Sequence, residues 1–149
     1  MNRNDSKKVG RQRTKRHKGF TLLELLVVVA IIALLASYVG PRFFSQVSKS
    51  ERETTRAQID AFVKALDAYR LDTGRYPPAE QGLGALVVRP TDEIKWRGPY
   101  LQKAVPLDPW GNAYHYTFPG KHGEFDVLSF GRDGRAGGVG DDADITSWN

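Results

Sequence analysis

Two groups of carboxylates in this chain sit where an ordinary surface acid would not. Glu24 is the only charge in FTLLELLVVVAIIALLASYVG, residues 20–40. Asp133, Asp141, Asp142 and Asp144 lie among five glycines in SFGRDGRAGGVGDDADI, residues 129–145. A carboxylate in hydrocarbon costs at least about 2.5 to 3.5 kcal/mol on insertion scales, so Glu24 needs a cationic partner. The second group has the composition of a calcium cradle: hard oxygens for the ion, and glycines that let a short loop turn its carbonyls inward. Composition alone leaves a solvated acidic loop equally open. The acids do not follow EF-hand spacing, and a lone GGVGDD cannot stack into a calcium-binding β-roll.

Other chemistry is poorly supported. The sequence has no cysteine, which excludes disulfides, thiolate zinc sites and a thiol nucleophile. Its three histidines lie apart, with no paired nucleophile and base, P-loop or zinc motif, so an enzyme is not expected. His115 and His122 read as ordinary strand and turn residues.

Charge is divided along the chain. Residues 1–19 hold eight Lys or Arg against Asp5, a net charge of +7, and the whole chain is +5, which leaves −2 on residues 20–149. Beyond the leader no basic cluster interleaves with aromatics, so no nucleic-acid partner is expected. A basic flank before an apolar run of about 21 residues instead marks the cytoplasmic side of a membrane-spanning helix. A conventional secretory signal cleaved near Ala36 or Ser37 is the competing reading, but the run is long for that role and contains an acid. No base lies within the run. Lys18 could reach back to Glu24, and cleavage after Gly19 would create an α-amine on Phe20.

The stretch KGFTLLELLVVVAIIALLA, with Gly19, Phe20 and Glu24 in register, resembles the signal of the type IV pilin-like family, which includes the pseudopilins of type II secretion. The resemblance implies that a membrane prepilin peptidase/methyltransferase cuts after Gly19 and methylates Phe20. The apolar run then stays as an assembly helix, and Glu24 becomes the assembly acid. A cationic amine and Glu24 can pair in lipid, within or between subunits.

The elements downstream follow from periodicity. Gly40 and Pro41 predict a kink, and a helix is expected over 42–73, with Ile59, Phe62, Val63, Leu66 and Tyr69 on one face. That apolar stripe begins only near Ile59, so SKSERETTRAQ reads as a solvated part of the helix or a surface packed on other subunits. Gly74, Pro77 and Pro78 end it. A short helix is expected over 79–88. Trp96, Tyr100 and Trp110 read as aromatics capping the core. Alternation of Tyr114, Tyr116 and Phe118 with His115 and Thr117, then PGKHG and EFDVLSF, predicts an antiparallel hairpin over 113–130 packed on the helix.

LDAYRLDTGRYPPAEQGLGAL followed by LDPWGNAYHY narrows the resemblance to the major pseudopilins of type II secretion, over essentially all of the chain after the leader. The implied organisation is a removed leader, 1–19; a transmembrane assembly helix, 20–40; and a periplasmic α+β domain of type IV pilin-like fold, 41–149. Calcium is implied in the loop 129–145, held by Asp133, Asp142, Asp144 and the Phe130 carbonyl, with Asp141 a further candidate. Implied partners are further copies of the chain, minor pseudopilins and the inner-membrane assembly platform. The implied function is a structural subunit of a periplasmic filament driving protein export. The alternative is a subunit of an adhesion or DNA-uptake pilus.

Overall fold

The computed structural model describes residues 19–149, and the leader before Gly19 lies outside them. The element order is one long helix α1 (Leu22–Thr73), a 3-10 turn (Gly82–Leu86), β1 (His115–Thr117), β2 (Asp126–Ser129), a second 3-10 turn (Gly140–Asp142) and β3 (Ile145–Thr146). Among the described residues, the chain divides after Pro41 into two compact units.

In the first unit the helix is fully exposed along its apolar side chains, from Leu22 to Val39. It is long and apolar enough to cross a membrane. The helix continues through Pro41, which therefore does not terminate it as a breaker.

In the second unit one stripe of α1 is buried: Ser48, Thr55, Ile59, Phe62, Leu66, Tyr69 and Thr73, recurring every three to four residues, or seven at its start. The stripe begins at Ser48, not at Ile59 as expected from apolar spacing. Its first two members are small hydroxyl residues. Thr55 turns its hydroxyl back onto the Glu51 carbonyl at 2.9 Å, so it packs without presenting a free polar group. The rest of the core comes from Tyr76, Leu83, Ala85, Leu86, Val127 and Ile145, with Trp96, Tyr100 and Trp110 packed against its edge as expected.

The helix expected over 79–88 is a single 3-10 turn, because Gly82 at φ +55° cannot continue an α-helix, yet it still buries Leu83 and Leu86. The hairpin is present, antiparallel, with His115 opposite Leu128 and Thr117 opposite Asp126. Its strands are shorter than the 113–130 span. The β2 strand is the centre of the sheet, because β3 pairs along its other edge with Ser129 opposite Ile145. A central strand is hydrogen-bonded along both edges, and Asp126, Val127 and Ser129 are all buried.

Candidate functional site

At the start of α1, Gly19, Phe20 and Thr21 are outside the helix and exposed. Thr21 and Glu24 form a reciprocal capping box: the Glu24 amide donates to Thr21 Oγ1 at 3.2 Å, and the Thr21 amide donates to Glu24 Oε2 at 3.2 Å. The Thr21 hydroxyl also reaches Glu24 Oε2 at 3.4 Å. Glu24 thus has a local partner that its apolar surroundings did not suggest. The signal was in the sequence, since T-L-L-E has capping-box spacing. In the full chain the Phe20 nitrogen is a peptide amide, so any pairing of Glu24 with a free amine must follow cleavage.

The acidic loop lies in the second unit and is pinned at both ends. Its entry is held by the DPWGN turn. The buried Asp108 carboxylate accepts the amides of Trp110 (3.1 Å) and Asn112 (2.8 Å) and the hydroxyl of Ser129 (2.7 Å). Ser129 Oγ in turn accepts the Gly131 amide at 3.2 Å, and Asn112 Nδ2 donates to the Gly131 carbonyl at 3.3 Å. Phe130 opens the loop with its ring 4.3 Å from that of His115. The loop closes tightly on itself. A Cβ on Gly131, at φ +67°, would stand 2.9 Å from the Ala143 carbonyl oxygen. One on Gly138, at φ +82°, would overlap the Asp142 carbonyl. Only glycine meets both conditions, the positive φ and the close backbone approach.

The expected ligands are distributed unevenly over this frame. Asp144 Oδ2 accepts the Gly137 amide at 3.0 Å, the Asp144 amide returns a bond to the Gly137 carbonyl at 3.2 Å, and Asp144 Oδ1 is buried with no hydrogen-bond partner. Asp133 Oδ1 accepts the Arg135 amide at 3.1 Å. Asp141 faces Arg132 at 3.7 Å. Asp142 supplies its amide to the Val139 carbonyl at 3.2 Å. Among the described residues no three Asp, Glu, His or Cys side chains converge as a metal-binding group. The loop's fit to a cation therefore rests on one orphaned, buried carboxylate oxygen, Asp144 Oδ1. An unsatisfied buried carboxylate oxygen is costly, and calcium accepts carbonyl oxygens in place of further carboxylates.

Two arginines tie the loop to α1. Arg52 Nη1 donates to the Gly140 carbonyl at 2.6 Å and reaches the Ala143 carbonyl at 3.4 Å. Arg132 Nη2 donates to Ser48 Oγ at 3.2 Å and lies 3.6 Å from Glu51, whose Oε2 also accepts Trp110 Nε1 at 3.0 Å. Neither arginine was singled out by sequence, because a basic residue in a polar helical stretch looks solvated until its distant partners are known.

The turn between β1 and β2 is organised by Asp126. Its carboxylate accepts the amides of Lys121 (2.8 Å) and His122 (3.2 Å) and lies 3.1 Å from His122 Nδ1, while the His122 ring stacks on Trp148 at 3.9 Å. Burial pushes the Asp126 carboxyl up, but the Lys121 amide and the contacts with His122 outweigh it, and the net shift is downward. Tyr114 is pushed up to about 12, first by burial and then by the nearby Asp108 charge. These shifts belong to groups that hold the fold together.

Residues 42–148 match the family model described as type II secretion system protein G, and residues 14–39 match the prokaryotic N-terminal methylation motif. The chain is similar to the type II secretion system core protein G of Vibrio cholerae, 44% identical over 141 residues, 93% of this chain and 96% of that protein. It is 42% identical to the core protein G of Pseudomonas aeruginosa over 138 residues, 91% of this chain and 97% of that one. Among solved structures it resembles the major pseudopilin of the type 2 secretion system of enterohaemorrhagic Escherichia coli. The TM-score is 0.60 at 37% identity, over 70% of this chain and 92% of that one.

Proposed function

Because the chain belongs to the type II secretion system protein G family, we propose that it is a structural subunit of the pseudopilus that drives protein export through that system. One observation carries this reading. A methylation motif and a protein G domain follow one another on a single chain, with a membrane-length helix running out of the first and into the second. The family's role is structural, and the buried polar groups of this chain are spent on holding loops and turns.

The life of the subunit follows from its two units. Before processing, the leader's positive charge keeps the amino terminus cytoplasmic while residues 20–40 span the inner membrane and the α+β domain lies in the periplasm. Gly19 and Phe20, exposed and outside the helix, offer an accessible peptide bond to the prepilin peptidase/methyltransferase. Cleavage and methylation leave a cationic amine on Phe20, directly before the capping box, and Glu24 Oε2 becomes its acceptor within the subunit or in a neighbour. Subunits then join head to tail without closing a ring, which yields a filament. Minor pseudopilins and the assembly platform are the remaining partners.

The acidic loop is proposed to hold calcium through Asp133, Asp142, Asp144 and the Phe130 carbonyl. Asp141 is less suited, since Arg132 already faces it. The ion would supply positive charge to the orphaned Asp144 Oδ1 and stabilise the closed loop in a chain without disulfides. Asp108 and Ser129 hold the loop's entry, and the glycines give its backbone the room to close.

Deletion of the gene and complementation test the function. Loss of export of folded periplasmic proteins, restored by the wild-type gene and not by Glu24→Ala, is expected. Normal export with lost motility or transformation would instead favour a pilus.

A further inference from the structure

The acidic loop approaches α1 through cations of the chain itself. Arg52 donates to Gly140 and Ala143, two carbonyls on the arm that returns the loop from Val139 to β3. Arg132 leaves the loop's other arm and reaches Ser48, Glu51 and Asp141. Trp110, from the turn that pins the loop's entry, bonds the same Glu51. Three contacts therefore converge on one turn of helix, Ser48 to Arg52, from both arms of the loop and from its entry turn.

We propose that Arg52 is a positioning residue for the loop: it clamps the returning arm to α1 so that the loop is already closed before any ion arrives. This rests on the calcium reading above. The physical case begins with entropy. Residues 131–140 contain five glycines at positive φ, and such a segment has much conformational freedom to lose on closing. A guanidinium donating to two carbonyls removes part of that freedom in the folded state and makes charge-assisted bonds of the stronger kind. Arg52 also brings a positive charge toward a cation site, which by Coulomb repulsion would weaken binding. Both effects are present, and the proposal is that the clamp outweighs the repulsion. The 2.6 Å bond to Gly140 favours the clamp, because repulsion is softened by solvent at a half-exposed site whereas loop closure is not.

The same clamp gives the loop a mechanical path to the helix. Ser48 and Glu51 lie on α1 at the start of its buried stripe, so Arg132 and Arg52 join both arms of the loop to that turn.

The test uses the full-length chain in detergent micelles, with calcium chloride as the titrant. Calorimetric titration gives Kd for the wild type, Arg52→Ala, Arg52→Lys and Arg56→Ala. Arg56 is exposed one turn further along the helix and controls for loss of charge alone. Arg52→Ala should weaken calcium binding about tenfold, the range of one charge-assisted hydrogen bond. Arg52→Lys should recover most of it, and Arg56→Ala should change it less than twofold. Hydrogen exchange in EDTA supplies a metal-free readout: the amides of Asp142 to Asp144 should exchange faster in Arg52→Ala than in the wild type. Tighter or unchanged calcium binding in Arg52→Ala, with a wild type that does bind, overturns the clamp and leaves the calcium reading intact. A wild type indifferent to calcium overturns the calcium reading. The clamp then stands or falls on the exchange rates alone.

Discussion

Asp108→Ala should be the most damaging single change at the entrance to the acidic loop. The carboxylate is 4% exposed and accepts three hydrogen bonds, from two amides of its own turn and from the Ser129 hydroxyl on β2. Truncation removes the acceptor, leaving the Ser129 hydroxyl unpaired in a buried site and the two turn amides unpaired in part-buried ones. A buried donor left unsatisfied costs about 1 to 3 kcal/mol, and the two turn amides can relax toward solvent more easily than Ser129 can. A total of about 3 to 5 kcal/mol follows, a large share of the roughly 5 to 15 kcal/mol that holds a domain together. Urea unfolding followed by tryptophan fluorescence should show the midpoint falling by about 2 to 3 M at a slope near 1.5 kcal/mol per M. Asp108→Asn is the informative companion. Its carbonyl can take the place of Oδ1 for both amides, and its amide can donate to Ser129 Oγ once that hydroxyl rotates, so the loss should be less than half as large. A midpoint within about 0.5 M of wild type for Asp108→Ala would refute the reasoning, as would an Asn variant as unstable as the Ala one.

Phe62→Ala, at a position with no exposure, should cost about 3 to 5 kcal/mol in the same assay. Chelation should lower the melting temperature of the wild-type chain, and Asp144→Ala should abolish that sensitivity. A calcium concentration a hundredfold above Kd stabilises by about 2.7 kcal/mol, so the shift should be several degrees. Asp126 is lowered in the folded chain, so its contribution is present above the unfolded carboxyl value near 3.9 and is lost as pH falls through its lower folded value. The stability gap between wild type and Asp126→Asn should therefore shrink as pH falls below about 4. A gap that widens in acid would contradict the sign. Thr21→Ala should cost about 1 kcal/mol of cap and speed amide exchange in the first turn of α1, while Thr21→Ser should not.

What the sequence made legible was whatever periodicity or spacing records locally. The long helix, its core face from Ile59 to Tyr69, the alternation of Tyr114, Tyr116 and Phe118 and the N-terminal methylation motif were all of this kind. The upstream end of the core stripe was hidden because Ser48 and Thr55 pack by being small, and a hydrophobic pattern does not register small hydroxyl residues. The β3 strand was hidden because two residues, Ile145 and Thr146, are too few to show a period, and their strand identity comes from pairing with Leu128 and Ser129. Asp108, Arg52 and Arg132 owe their roles to partners 21 to 91 residues away in sequence, which no local pattern reports. Glu24 is a different case. Its capping-box spacing was visible, but the acid drew attention as a charge in lipid, and both properties belong to it.

The central claim is that this chain is processed after Gly19 and assembled with Phe20 at its head. Mass spectrometry of the amino terminus of subunits recovered from sheared filaments tests it most directly. The account predicts N-methylated Phe20 as the first residue. A terminus near Ser37, or filaments built from chains that keep the basic leader, would contradict it.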